Sequence, residues 1–304
     1  MKRITAAALA ILILSLTLAG CAAKTPDEKI YALTKELDAV YLVGADGAEK
    51  VYDLPDGAIT AAVSGGTLWY ADETALVRLD LADLSRREYE LPENNGVGFY
   101  MSAEENEAYV MLCTGRENTG AVYRIGESGT ERITKEQTLF LNTPFVVDGG
   151  SVYHVTGNDE LVREDADGAL TVFERPAFPL NHTMSLDGGR VYTCWAADCR
   201  SYDAATGGGE RIETGVGGEA LPNAKAHDGW LYYFGANYEN RGSDDVMRLM
   251  AKRISDGRTV EYARTADLSF YAFDRVVTFG ERGLVINDGY EQNDFRYVLY
   301  YTGK

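Results

Sequence analysis

Three histidines, four cysteines and three tryptophans in 304 residues leave little material for the common catalytic and metal-binding devices. No histidine stands at ligand spacing to a cysteine pair, which argues against a zinc site, and no other metal or cofactor is expected. G-x-S-x-G, a phosphate loop, HExxH and the S-x-D-x-G-x-x-W Asp box are all missing. Basic residues are scarce as well: 29 Lys and Arg stand against 47 Asp and Glu, a formal charge of −18. So acidic a surface repels phosphate backbones and anionic head groups, which makes nucleic acid a poor partner. A chain that is 45% hydrophobic and 25% charged can nevertheless hold a large core.

The start of the chain carries its most specific motif. Met1, Lys2 and Arg3 form a basic n-region, and Ala6 to Leu18 is an uncharged h-region too short for a comfortable membrane span. It closes in Leu18-Ala19-Gly20-Cys21, which resembles the lipobox of bacterial lipoproteins. The resemblance implies a signal peptide over residues 1–20, cleaved before Cys21, with the Cys21 sulfur diacylated and the lipid as the link to the membrane. The small Ala19 and Gly20 let a peptidase approach, and the thiol is the acylation nucleophile. Residues 21–29 read as a polar tether and residues 30–304 as one folded domain. Ala22 is not the Asp that favours inner-membrane retention, so the expected place is outside the cytoplasm, at the cell surface or facing a periplasm. Cys194 and Cys199 flank the turn Trp195-Ala196-Ala197-Asp198 between two strands, a geometry compatible with a disulfide in an exported protein. Cys113 is left as a small buried hydrophobe.

The rest of the chain repeats one unit. In Asp148 to Phe173 a Gly-Gly turn, a short strand, a polar turn, a second strand, an Asp-Gly turn and a third strand follow one another, the pattern of an antiparallel meander. Alignment on the inner hairpin gives Trp69, Tyr109, Tyr153, Tyr192, Tyr232 and Val277, at spacings of 40, 44, 39, 40 and 45 residues. A period near 40 made of strand-turn-strand units predicts an all-β chain folded as a single β-propeller of four-stranded antiparallel sheets. Ile30 to Leu54 reads as three strands of a first blade lacking its inner strand, which gives seven blades. Six result if Ile30 to Thr34 belongs to the tether. Arg296 to Tyr301 is placed to close the ring beside the N-terminal strands. Asp165-Ala166-Asp167-Gly168 reads as a turn rather than a calcium loop, because Arg163 stands where the first ligand belongs.

Trp69-Tyr70-Ala71-Asp72 followed by Leu76-Val77-Arg78-Leu79-Asp80 resembles a YWTD blade, and Ser201-Tyr202-Asp203-Ala204-Ala205-Thr206-Gly207 resembles the strand and turn of PQQ-type propeller repeats. Ile212, Phe173 and Tyr89 replace the Trp that closes PQQ repeats, so quinone binding is not implied. The general pattern is similar to the propeller repeats of bacterial surface lipoproteins, which implies a binding or scaffold protein.

Loops from a fourth strand to the next first strand, and from a second to a third strand, open on one face of a propeller. Asn142, Asn181, Asn223 and His182 fall on the first kind, and Tyr238, Asn240, Tyr290 and Asn293 on the second. Amides and aromatic faces suit a sugar or a peptide, and Asn equally suits turns, where its amide bonds its own backbone. His154, inside a strand, reads as a structural residue. The chain is therefore expected to be a lipid-anchored module, a monomer or a subunit of an envelope complex, that binds a protein or glycan. The alternative is a carbohydrate-active hydrolase or lyase at the channel mouth, for which only His182 and Glu219 lie nearby.

Overall fold

The computed structural model describes residues 28–114, 119–135, 137–138, 143–158, 160–174, 183–195, 198–213, 220–236, 246–266, 276–287 and 295–299. Among these, 27 strands form seven antiparallel sheets, the blades of a propeller. Blade 1 holds β1 (Ile30–Leu33), β2 (Ala39–Gly44) and β3 (Gly47–Asp53), and blade 2 holds β4 (Thr60–Ser64), β5 (Thr67–Ala71), β6 (Ala75–Asp80) and β7 (Arg86–Glu90). Blade 3 has β8 (Gly96–Ala103), β9 (Glu107–Cys113), β10 (Thr119–Gly126) and an outer edge split into β11 (Gly129–Arg132) and β12 (Gln137–Thr138). Blade 4 has β13 (Phe145–Asp148), β14 (Ser151–Val155), β15 (Leu161–Glu164) and β16 (Leu170–Glu174). Blade 5 has β17 (Thr183–Asp187), β18 (Arg190–Trp195), β19 (Asp198–Asp203) and β20 (Gly209–Glu213). Blade 6 has β21 (Ala220–His227), β22 (Trp230–Ala236), β23 (Val246–Arg253) and β24 (Thr259–Ala266), and blade 7 has β25 (Val277–Phe279), β26 (Gly283–Asn287) and β27 (Phe295–Leu299).

The inner hairpins explain why the unit repeats. Asp148 pairs with Ser151 and Asp187 with Arg190, which leaves two-residue loops, Gly149-Gly150 and Gly188-Gly189, with φ between +56° and +84°. Both loop residues of such a turn need positive φ, which glycine adopts without strain. The third residue after each turn then points into the crevice before the next blade. Trp69, Tyr109, Tyr153, Tyr192 and Tyr232 hold this position and all are buried. In blade 7 the register differs from the expected alignment. Val277 lies on the first strand opposite Ile286, and the equivalent of Tyr232 is Val285, three residues into β26. Nine residues separate β22 from β23 and ten separate β24 from β25, each the longest connection of its kind among the described strands, so a fixed step of about 40 residues lands one strand early.

Seven hydrophobic clusters fill the ring, one in each crevice between neighbouring blades. The second strands are almost wholly buried while the fourth strands are mostly exposed. β3 shares the exposed pattern, and Leu54-Pro55-Asp56 carries it into β4 as Leu91-Pro92-Glu93 carries β7 into β8. Alternation of strand direction therefore makes β3 a fourth strand, and blade 1 shows no first strand among the described residues, as the sequence suggests. Blade 7 shows three strands among the described residues, and β27 pairs with β26 alone rather than joining the N-terminal sheet.

The ring is closed by packing and by one carboxylate. β1 lies against β25 and β26, and β27 against β2 and β3, with Ile30, Ala32, Val43 and Val285 buried between them. Glu28 accepts hydrogen bonds from the Glu281 N–H, from the Arg282 N–H at 3.0 Å and from the Tyr297 hydroxyl at 3.2 Å. This ties the chain just before β1 to the β25–β26 turn more than 250 residues away. Gly280 is required at that contact, because a Cβ there would meet the Glu28 carboxylate and lie 2.6 Å from Ile30 Cδ1.

Candidate functional site

Two faces of the ring were open as sites: the face of the first-to-second-strand hairpins and the opposite face, where first strands begin. On the hairpin face a cleft of about 470 Å³ lies between blades 5 and 6, lined by Asp187, Tyr192, Asp228, Trp230, Arg253 and Ser255. Its polar groups are already engaged. Asp187 accepts from the Asp228 N–H at 3.0 Å and the Gly229 N–H at 2.8 Å, which locks the blade 6 turn to blade 5. Arg253 is paired with Asp256 and lies over the Trp230 ring, 5.6 Å from its centroid. Burial pushes the Tyr192 phenol up, so it stays protonated at neutral pH. Asp187 thus joins the two blades, and Arg253 is engaged within blade 6. Inner strands β17 and β21 are joined in the same way, Thr183 Oγ1 donating to the Ala224 carbonyl at 2.8 Å and the Ala226 N–H to Ser185 Oγ at 2.9 Å.

The opposite mouth is built differently. Two first strands, β8 and β21, break their pairing at the same place. Between Val97 and Met101 the partner strand advances only from Leu112 to Val110, and between Ala220 and Ala224 only from Gly235 to Tyr233. Each bulge holds two extra residues. In β8 it leaves Phe99 51% exposed on a first strand, the strand that each blade turns toward the centre of the ring. Thr60 Oγ1 on β4 donates to the Phe99 carbonyl at 3.2 Å and fixes the bulge against blade 2. An exposed phenyl ring on a strand held from both sides is a preorganised apolar anchor.

Of the residues read as a binding face, Asn223 lies within the β21 bulge. Asn142, Asn181, His182, Tyr238, Asn240, Tyr290 and Asn293 lie outside the described residues, as does Cys21. Cys194 and Cys199 face each other across β18 and β19 with their Cα atoms 4.2 Å apart, joined as a disulfide, while Cys113 is free and buried. Phe99 was not singled out in the sequence, although a signal exists: glycines at 96 and 98 inside a strand mark a bulge, as does Pro222 in β21.

His154 is fully buried, and its Nε2 lies 3.4 Å from Glu164 Oε2. Glu164 Oε1 accepts from the Lys135 N–H at 2.6 Å, so the carboxylate bridges blades 3 and 4. Burial pushes the Glu164 carboxyl up, but the hydrogen bonds from His154 and Lys135 outweigh it and hold the group below the usual carboxylate range. Enclosure of this pair removes it from any substrate and makes it part of the scaffold. Asp165-Ala166-Asp167-Gly168 forms a turn in which Asp167 Oδ1 accepts from the Ala169 N–H at 2.9 Å and Gly168 has φ +80°.

No protein-family model matches the chain, and no curated protein matches it. Solved structures do. A chain of YCF48 bound to D1 peptide is similar with a TM-score of 0.56 at 12% identity, over 91% of this chain and 95% of that one. A chain of the mitotic checkpoint complex gives 0.54 at 11% identity, over 92% of each. A chain of the nidogen/laminin complex gives 0.52 at 12% identity, over 76% of this chain and 91% of that one. At such identities the likeness establishes the seven-bladed propeller and nothing about its ligand.

Proposed function

We propose that the chain is a lipid-anchored extracytoplasmic propeller that serves as a binding or scaffold module for a protein partner, engaged at the channel mouth lined by the β8 and β21 bulges. The observation that carries this reading is Phe99, a large apolar side chain held half in solvent on the innermost strand of an otherwise well-packed ring. The similar folds of chains solved with laminin and with a D1 peptide support a polypeptide as the partner class.

The lipobox supports the anchor at Cys21, which stands seven residues before Glu28. Seven residues span at most about 25 Å, so the Glu28 contact with the β25–β26 turn would keep the hairpin face near the membrane. The mouth at the start of β8 and β21 would then face away from the lipid, toward a partner. Pull-down of the full chain from detergent-solubilised membranes tests this. A defined partner is recovered with the wild type and lost with Phe99→Asp, and fatty-acid labelling is abolished by Cys21→Ser. Recovery of the chain alone, or equal recovery with Phe99→Asp, rejects the site.

A further inference from the structure

The outer edge of blade 4 differs from the other outer edges among the described residues. A fourth strand ends its sheet, so one side of it presents backbone N–H and C=O groups ready to pair with another strand, and proteins blunt such edges with charge. The exposed side chains of β3 include Glu49, Lys50 and Asp53, and those of β7 include Arg86, Arg87, Glu88 and Glu90. β11 exposes Glu131 and Arg132, β20 exposes Glu210 and Arg211, and β24 exposes Glu261. β16 alone among the described fourth strands exposes large apolar side chains, Leu170 at 48% and Val172 at 37%.

Leu170 and Val172 pair with Glu164 and Val162, and so stand on the side of the sheet that faces blade 3. There the neighbouring edge offers little cover. β11 is four residues long, and the chain then turns inward, burying Ile133 and Thr134 and capping Glu164 with the Lys135 N–H before β12 resumes the pairing. Among the described residues no strand pairs with the outer side of β16, so the two aliphatic side chains stand beside an open strand edge.

We propose that β16 is a docking edge for an extended polypeptide segment of a partner, which adds to blade 4 as a fifth strand. The main-chain ladder supplies affinity, and alternate aliphatic residues of the partner pack on Leu170 and Val172. The partner segment is flanked by basic residues. Asp167 precedes the strand, and the whole chain carries −18, so complementary charge favours a basic segment and disfavours a second copy of this chain. Aliphatic side chains give a sugar no hydrogen bonds, which separates this edge from a glycan site. The proposal deepens the reading of the ring as a polypeptide-binding module, but it concerns a surface remote from Phe99.

The probe is a synthetic peptide of alternating valine and threonine with two lysines at each end, titrated into the full chain by fluorescence anisotropy. The expected result is binding with a Kd tighter than about 1 mM that weakens with salt and at least about tenfold in Leu170→Lys/Val172→Lys. Phe99→Asp binds this peptide as the wild type does, so failure here and failure at the channel mouth are distinguishable. The same peptide with glutamates at its ends, or with a central proline that interrupts the ladder, binds at least about tenfold more weakly. No binding by the wild type, or equal binding by the double-lysine variant with an unchanged melting temperature, overturns the proposal. A dimer seen by light scattering and abolished by the same lysines would assign the edge to a second copy and overturn it as well.

Discussion

Glu164 is the ionisable side chain on which the stability of the ring depends most visibly. It is enclosed, bridges two blades, and keeps a depressed carboxyl despite burial. Glu164→Ala would leave the Lys135 N–H without its acceptor and His154 without the carboxylate, at a cost of about 3 kcal/mol in urea unfolding. The pH dependence has a definite sign. Because the folded carboxyl titrates below its ordinary value of 4.5, its contribution is complete above that pH and lost as the pH falls through the lower folded value. Glu164→Gln should therefore be less stable than the wild type at neutral pH and show a shallower loss on acidification, measured as unfolding midpoints from pH 7 down to about pH 3. Equal slopes for the two proteins would remove Glu164 from this role. The sequence identified His154 as structural, but its partner was not legible, because Glu164 approaches through strand register rather than through spacing.

At the scale of strands and turns, the repeat was legible because each unit carries its own punctuation: glycine pairs at positive φ and a large residue three positions later. What spacing could not convey was register. The bulges of β8 and β21 arise where two strands fall out of step, and Val277 was misplaced by one strand because the β22–β23 loop and the connection into blade 7 are both long. Closure was equally hidden, since Glu28 and the β25–β26 turn are separated by almost the whole chain. Glu28→Ala should cost no more than about 1 kcal/mol, because the N–H groups of Glu281 and Arg282 that it releases are exposed to water, and Gly280→Val should cost about 1–3 kcal/mol by driving a side chain into Glu28 and Ile30. The two share one contact, so the double variant should be less destabilised than the sum of the singles, as read from thermal melts. Additive losses would mean that the two residues act separately.

As a whole molecule the protein is a ring whose seven crevices each hold an apolar cluster and whose first and last blades meet, among the described residues, by packing. Each blade covers its neighbours, so no blade can leave without exposing two clusters, and unfolding should be a single cooperative transition. Removal of residues 276–304 should then give an insoluble or largely unfolded chain rather than a stable six-bladed ring, checked by circular dichroism and light scattering. The functional reading rests on Phe99, whose exposure means that its loss should change stability by no more than about 0.5 kcal/mol. The decisive measurement is quantitative recovery of partner protein by the full membrane-anchored chain and by its Phe99→Asp variant, with melting temperatures taken on both. An aromatic anchor at the mouth requires recovery by the variant to fall at least about tenfold while its melting temperature stays put. Undiminished recovery by a stably folded Phe99→Asp chain would show that the mouth is not where this propeller binds.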